Sequence, residues 1–185
     1  MNKQQLTKNI GTLLMVIPII LLTYVYFPVL QVYLFPNPPM IDMSADYFLE
    51  IPSIRAAGQI IPNVDPWEKG KYLPELQKGI AQALGTSLPG EGGTTYLFAH
   101  SFDDPWNITR YNTAFYKINQ LNSGDEILVY RNGDPLKYKV TKKITVSPKE
   151  VQYIKEDQGN VLILQTCTPI GTDWNRLLVF AEPDF

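Results

Sequence analysis

Cysteine and histidine are almost absent from this sequence, which contains one Cys and one His in 185 residues. One cysteine cannot form an internal disulfide, and one cysteine with one histidine is too few for a zinc site. No segment has the acidic spacing of an EF-hand loop. We therefore expect no metal and no other cofactor, although Asp103, Asp104 and Asp173 keep calcium dependence open.

An excess of charge of one sign is also lacking. The chain has 16 Lys and Arg residues against 18 Asp and Glu residues, a formal net charge of −2. No run of Lys and Arg forms a basic face, so we expect no nucleic-acid partner. The length suits one domain of moderate size, which can bury a core without disulfides.

The N-terminal part has no charged residue between Lys8 and Asp42, and almost all of this run is apolar. About 20 such residues are enough to cross the hydrocarbon core of a bilayer. A cleaved signal peptide is the alternative, but the run is too long and lacks an A-x-A-like cleavage site at its end. We therefore predict an uncleaved, single-pass anchor in the cell membrane.

The residues that flank this run predict its orientation. Lysines precede it and acidic residues follow it, and positive charge beside an anchor stays on the cytoplasmic side. The N-terminus is therefore predicted to be cytoplasmic and the bulk of the chain extracellular. We divide the chain into a cytoplasmic tail at 1–8, a transmembrane anchor at 9–35, a linker at 36–46 and an extracellular domain at 47–185.

The extracellular part alternates short apolar runs with turn residues, a pattern typical of β-strands. The Asn132-Gly133 pair between two such runs predicts a hairpin, and Pro52 and Pro62 are expected to end the first two strands. Seven or eight short strands indicate an all-β fold, either a closed or nearly closed barrel or a sandwich.

Helical signals are few in this domain. Apolar residues with helical spacing predict an amphipathic helix over 110–121. Ser147 followed by Pro148 is typical of the start of a second helix. Residues 72–84 predict one helical turn and a loop. The helices are therefore expected to be short additions to the sheet.

Three candidate catalytic residues lie at predicted strand ends beside loops: Cys167, His100 and Arg176. Each has an ordinary explanation by itself, since a lone cysteine is usually buried packing, a histidine can satisfy backbone groups and an arginine can be a surface cation. Together they are more informative, because a thiol becomes a nucleophile as its thiolate, which a nearby cation stabilises. A guanidinium keeps its proton and can stabilise an oxyanion.

The segments around these residues resemble the sortases, the membrane-anchored cysteine transpeptidases of bacterial surfaces. "LQTCTP" is similar to their T-L-x-T-C signature, and "NRLLVFAE" resembles the strand that carries their active-site arginine. "KGIAQALGTSLPGEGGTTYLFAHS" resembles the block before the catalytic histidine, and "NQLNSGDEILVY" a segment after it. The resemblance covers about residues 47 to 183. Gln165 occupies the variable place of the signature, and Ala99 replaces a glycine found in many members.

The resemblance implies an eight-stranded, sortase-type β-barrel and a thioester on Cys167, formed by cleavage of an LPxTG-like sorting signal. His100 would protonate the leaving amine and later deprotonate the incoming one, and Arg176 would hold the substrate and stabilise the oxyanion. Weaker candidates for substrate binding are the neighbouring residues Thr166, Ala99, Ser101 and Trp174.

The partners implied are surface proteins that bear a sorting signal and an amine acceptor on a cell-wall precursor or pilin. The alternatives are a non-catalytic peptide-binding module and a cysteine peptidase that only hydrolyses. Papain-like enzymes place Cys before His, the reverse of this chain, and "QTCTP" does not match the caspase sequence. The sorting motif, the acceptor and the sortase subclass stay open at this stage.

Overall fold

The structure, a computed structural model, describes residues 3–34, 45–101 and 114–184. The first of these segments is one long helix, α1, Lys3–Leu34. Its span Lys8–Phe27 has a mean hydropathy of 2.2 and is long and apolar enough to cross a membrane. Apolar side chains along it are exposed, for example Met15 at 74%. The helix forms a unit of its own, and its insertion in a membrane stays a prediction.

The second unit is a closed barrel of eight strands in the order β1-β2-β3-β4-β7-β8-β6-β5. This confirms the predicted all-β, eight-stranded barrel with short helices. Its strands are β1 Tyr47–Ile51, β2 Ala56–Val64, β3 Ile80–Ala83, β4 Thr95–Phe98, β5 Glu126–Arg131, β6 Asp134–Val146, β7 Leu162–Thr168 and β8 Asn175–Pro183. Its helices are α2 Lys69–Leu76, α3 Gln152–Lys155 and the 3₁₀ turns Pro52–Ile54 and Ile118–Gln120.

Strand direction decides which chain ends meet at each edge of the barrel. β4 pairs with β7 in parallel, and β7 pairs with β8 antiparallel. The last residues of β4 and β7 and the first residues of β8 therefore lie at one edge, which we call the Cys167 edge. Side chains alternate between the two faces of each strand, so this edge can present groups both inward and outward.

Two apolar clusters cover the two faces of the sheet. The inner core takes residues from all eight strands and fills the barrel, among them Leu49, Ile60, Ile80, Leu97, Ile127, Val140, Leu164 and Val179. The outer core lies on the opposite face and is covered by α2 and α3, through Leu76, Tyr72, Tyr153 and Ile154. Its floor is formed by Tyr96, Phe98, Ile163, Leu178 and Phe180.

The helix predicted over 110–121 is wrong for the residues that the structure describes. Residues 114–117 form turns and Ile118–Gln120 a 3₁₀ turn, while 110–113 lie outside the described residues. Phe115, Ile118 and Leu121 are at most 1% exposed and belong to the inner core. Their spacing of three residues suits a 3₁₀ turn, in which side chains at i and i+3 are superposed.

The second predicted helix begins later than Ser147, since α3 starts at Gln152. The Ser147 N–H donates to Glu150 Oε1 at 2.9 Å, and the Glu150 N–H donates to the Ser147 carbonyl at 3.0 Å. These two bonds close a turn in place of the first helical turn. The Glu150 side chain thus makes one half of a capping box, while the Ser147 backbone carbonyl takes the place that the serine hydroxyl has in the full motif.

Two of the strand predictions are wrong, those for β3 and for the end of β2, and the predicted hairpin is correct. Residues 72–84 contain the end of α2 and the whole of β3, which was not predicted. β2 continues past Pro62, because the β2–β3 register shifts between Ile61 and Val64, and a bulge tolerates proline. The hairpin at Asn132-Gly133 is confirmed, with φ of 50° and 88° at the two turn residues.

Candidate functional site

Cys167 and Arg176 lie directly opposite each other on β7 and β8. They are Cα partners in the antiparallel register, at the Cys167 edge. Residues opposite each other on one face of such a pair have Cβ atoms about 4.5–5.5 Å apart. The loop from 169 to 174 therefore returns the chain so that a thiol and a guanidinium share one face.

His100 comes to the same edge from β4. Phe98 is the Cα partner of Gln165, and the Ala99 N–H donates to the Gln165 carbonyl at 3.2 Å. Continuing this parallel register by two residues puts His100 level with Cys167. Residues at equivalent register positions face the same side of a sheet, so His100, Cys167 and Arg176 share the face of the outer core.

The Arg176 side chain is attached to its own loop. Its Nη1 donates to the Asp173 carbonyl at 2.9 Å and to the Asn175 carbonyl at 3.2 Å. These two bonds use only one of the guanidinium nitrogens as donor, and a guanidinium has five N–H groups. The bonds to the loop fix the position of the side chain and leave its other N–H groups as donors. This arrangement is suited to stabilising a developing negative charge.

The Cys167 thiol is partly buried, and its protonation reflects that position. Burial raises the pKa of the thiol, because an apolar environment disfavours the thiolate. The Arg176 charge opposes this and lowers the pKa, Asp173 raises it again, and Lys69 lowers it. The net effect is a raised pKa, so the thiol holds its proton at neutral pH and a base is needed to remove it.

Two residues of α2, Tyr72 and Lys69, belong to the surroundings of the thiol and were not predicted from the sequence. The Tyr72 ring packs edge-on against Phe98, with 5.9 Å between ring centroids. Burial raises the pKa of the Tyr72 hydroxyl, Arg176 lowers it, and Cys167 raises it. The apolar pair Tyr72 and Leu76, four residues apart, is the signal that could have indicated this helix.

Thr166 holds the two strands of the site together. It is 4% exposed, and its Oγ1 donates to the Ala99 carbonyl at 3.0 Å. Ala99 is 5% exposed and precedes His100 directly. The bond therefore joins the residue before the histidine to the residue before the cysteine.

A cavity of about 410 Å³ opens beside Cys167 at the mouth of the barrel. Ser101, which is 5% exposed, lines it together with Thr166 and Leu177. The loop after β7 contributes Pro169 and Ile170, and Phe115, Tyr116 and Asn119 form the opposite side. The cavity thus gives access to the thiol from the mouth, on a different side from the outer core.

Trp174 is the most exposed of the predicted site residues and does not line the cavity beside Cys167. Its side chain is 70% exposed in the β7–β8 loop. Among the residues that the structure describes, no group of three or more His, Cys, Asp or Glu could hold a metal ion. Asp103 and Asp104 lie outside the described residues.

Comparison with known proteins identifies the family. The Sortase domain family matches residues 49–184, and the chain therefore belongs to the sortase family. Sortase C-1 from Actinomyces oris is 30% identical with a TM-score of 0.62, over 84% of this chain and 81% of that one. Sortase A from Corynebacterium diphtheriae is 26% identical with a TM-score of 0.63, over 86% of this chain and 68% of that one.

A more distant neighbour shows the fold alone. The sortase D5 transpeptidase of Clostridium perfringens is 21% identical with a TM-score of 0.61, over 76% of this chain and 79% of that one. No curated protein sequence matches this chain. Since the neighbours carry class A, C and D names at similar TM-scores, the comparison assigns the family and not a class within it. Membership supports a transpeptidase activity.

Proposed function

We propose that this protein is a membrane-anchored sortase that cleaves an LPxTG-like sorting signal and transfers the acyl group to an amine. The observation that carries the proposal is the pairing of Cys167 with Arg176 across two strands, with His100 at the end of the third. The chain has a single Cys and a single His, so these roles have no competing candidates.

The first half-reaction forms a thioester. His100 accepts the proton of the Cys167 thiol, and the thiolate attacks the carbonyl carbon of the scissile residue. The carbonyl oxygen becomes an oxyanion, which the Arg176 guanidinium stabilises. The C–N bond then breaks, and the leaving amine takes the proton from His100, which leaves the acyl group on the sulfur.

The second half-reaction reverses these proton movements. An incoming amine loses a proton to His100 and attacks the thioester carbonyl, and a second oxyanion forms beside Arg176. Collapse of this intermediate forms the new amide and releases the Cys167 thiolate, which recovers the proton from His100. The cavity at the barrel mouth supports entry of the amine from the side of Ser101 and Pro169.

The acceptor is an amine on a cell-wall precursor or a pilin, and the substrates are surface proteins with a sorting signal. Helix α1 supports anchoring, because its apolar span is long enough to hold the barrel at a membrane. We propose an extracellular barrel with a cytoplasmic N-terminus, as the flanking charges indicate. Water as the acceptor gives simple hydrolysis, the second candidate reaction at the same site.

The test uses the full chain in detergent with an LPxTG-like peptide and mass spectrometry of the intact protein. We expect one acyl adduct on Cys167, released by an added amine, and no adduct in Cys167→Ala or His100→Ala. Arg176→Lys keeps the charge and loses the planar donors, so we expect acylation at least about 100-fold slower. Arg131→Lys, an exposed strand residue, is the matched control. Full peptide cleavage by Cys167→Ala would contradict the proposal.

A further inference from the structure

Gln165 lies on the same face of β7 as Cys167, two residues before it. Its neighbours across the sheet are Phe98 on β4 and Leu178 on β8, which are 6% and 1% exposed. Ile163, the next residue on this face, is fully buried. Gln165 itself is only partly buried. An amide side chain thus stands in an apolar floor beside the nucleophile.

The carbonyl oxygen of this amide already accepts a hydrogen bond within the protein. Tyr96 is 2% exposed, and its hydroxyl donates to Gln165 Oε1 at 2.8 Å. Burial raises the pKa of the Tyr96 hydroxyl, so it keeps its proton and stays a donor across the working pH range. The tyrosine therefore determines which way the amide is turned.

The amino end of the amide is the part left for a ligand. A glutamine amide has two N–H donors in addition to its carbonyl oxygen. Among the described residues, none accepts a hydrogen bond from Gln165 Nε2. In the described part of the chain no buried side-chain nitrogen lacks a partner, so this donor is open to solvent and accessible to a ligand. Cys167 and Arg176 lie on this same face, so a peptide held there for acylation is the ligand that would meet the donor.

Strand geometry indicates which part of the peptide reaches this donor. Residues two apart on a strand face are about 6.6 Å apart, and an extended peptide has nearly the same repeat. When the scissile carbonyl is at Cys167, a peptide that runs along β7 in the direction of that strand puts the residue two positions earlier over Gln165. In an LPxTG-like signal, that residue is the proline, whose carbonyl is a hydrogen-bond acceptor.

We propose that Gln165 is a specificity-determining residue that donates an N–H to the backbone carbonyl two residues before the acylated one. Tyr96 is the positioning residue that holds the amide in the donating orientation. The inference rests on the proposed function, since it concerns how the same site reads its peptide. It assigns a recognition role to the position of the signature whose residue type was uninformative in the sequence.

The test is a cycle of two proteins and two peptides, with the full chain in detergent. One peptide is an LPxTG-like amide, and the other has an ester in place of the amide bond that follows the proline. The ester carbonyl is a weaker acceptor, so the wild type should acylate about five- to tenfold more slowly with it, the size of one hydrogen bond. Gln165→Met should lose a similar factor on the amide peptide and little more on the ester.

Two further variants separate the donor from the tyrosine contact. Gln165→Glu can still accept from Tyr96 but has no N–H donor, so it should resemble Gln165→Met in its insensitivity to the ester. Tyr96→Phe keeps the ring and frees the amide, so it should raise KM with little change in kcat and retain part of the ester effect. Arg131→Lys should behave as the wild type with both peptides.

The outcomes distinguish this inference from the proposed function. If the wild type acylates Cys167 but the ester slows the wild type and Gln165→Met equally, the Gln165 inference is overturned and the thioester mechanism stands. The same holds if Gln165→Met acylates on the amide peptide as fast as the wild type. If no peptide acylates Cys167 in the wild type, the proposed function fails first and this inference fails with it.

Discussion

The two faces of β7 differ in what they contribute. Leu162, Leu164 and Thr166 point into the barrel and are 0%, 0% and 4% exposed. Gln165 and Cys167 point outward and are partly exposed. One strand therefore supplies packing on its inner face and reactive or polar groups on its outer face, at alternate positions. The inner residues keep the outer ones in place.

The contrast sharpens toward the Cys167 edge. Along β7 the outer face begins with the fully buried Ile163 and becomes accessible at Gln165 and Cys167. The inner face stays buried as far as Thr166, where an apolar side chain gives way to a hydroxyl. Substitutions on the inner face should therefore affect the free energy of unfolding, and those on the outer face the chemistry.

The largest effect is expected from comparing one substitution on the inner face of β7 with one on its outer face. Leu164→Ala removes a buried side chain from the inner core and should lower the free energy of unfolding by about 2–5 kcal/mol. Cys167→Ala removes one partly exposed sulfur and should abolish acylation with a much smaller change in stability. Urea unfolding and peptide acylation of both variants measure the two quantities. Equal destabilisation by both changes would contradict the comparison.

The second prediction concerns the charges that face the thiol on the outer side. Arg176 lowers the pKa of Cys167 and Asp173 raises it. Arg176→Gln should therefore move the pH midpoint of Cys167 alkylation upward, and Asp173→Asn should move it downward. Lys69→Met should act in the direction of Arg176→Gln but more weakly, since its contribution is the smaller. Iodoacetamide labelling rates measured from pH 6 to pH 10 by mass spectrometry follow these midpoints.

Opposite shifts are the diagnostic result, because Arg176 also bonds to the β7–β8 loop. Asp173→Asn keeps the backbone carbonyl to which Arg176 donates, so it removes a charge and leaves the loop bond in place. If Asp173→Asn and Arg176→Gln shift the midpoint the same way, local charge does not control the thiol. At neutral pH, Arg176→Gln should alkylate more slowly at Cys167, because a raised pKa leaves less thiolate.

Much of the barrel was predictable because its signals are local. The Asn132-Gly133 turn and the short apolar runs of β7 and β8 predict strands from adjacent residues alone. Cys167 and Arg176 could be expected to meet, because consecutive strands joined by a short loop commonly pair. The placement of Cys167, His100 and Arg176 at one edge of the sheet could therefore be predicted from strand ends and a family signature, and their roles stay a proposal.

The unpredicted parts depend on contacts between distant segments. The Tyr96–Gln165 bond joins residues 69 positions apart and exists only through the parallel β4–β7 register. Tyr72 lies near enough to Cys167 for the thiol to raise the pKa of its hydroxyl, because α2, inside the β2–β3 connection, packs on the outer core. The 3₁₀ turn at Ile118–Gln120 follows from burial of Phe115 in the barrel, which overrides the helical pattern. Local spacing, such as that of Tyr72 and Leu76, can indicate an element but not the distant segment that it contacts.

The smallest predicted effect tests the residue where the two faces of β7 depend on each other. Thr166 is inward-facing, yet its Oγ1 bond to the Ala99 carbonyl fixes the backbone beside His100. Thr166→Val leaves that carbonyl without this donor and should lower the free energy of unfolding by about 1–3 kcal/mol. Acylation should slow as well, while Thr166→Ser, which keeps the hydroxyl, should acylate at a rate near that of the wild type. If the valine and serine variants acylate equally fast, Thr166 contributes packing and does not position the histidine.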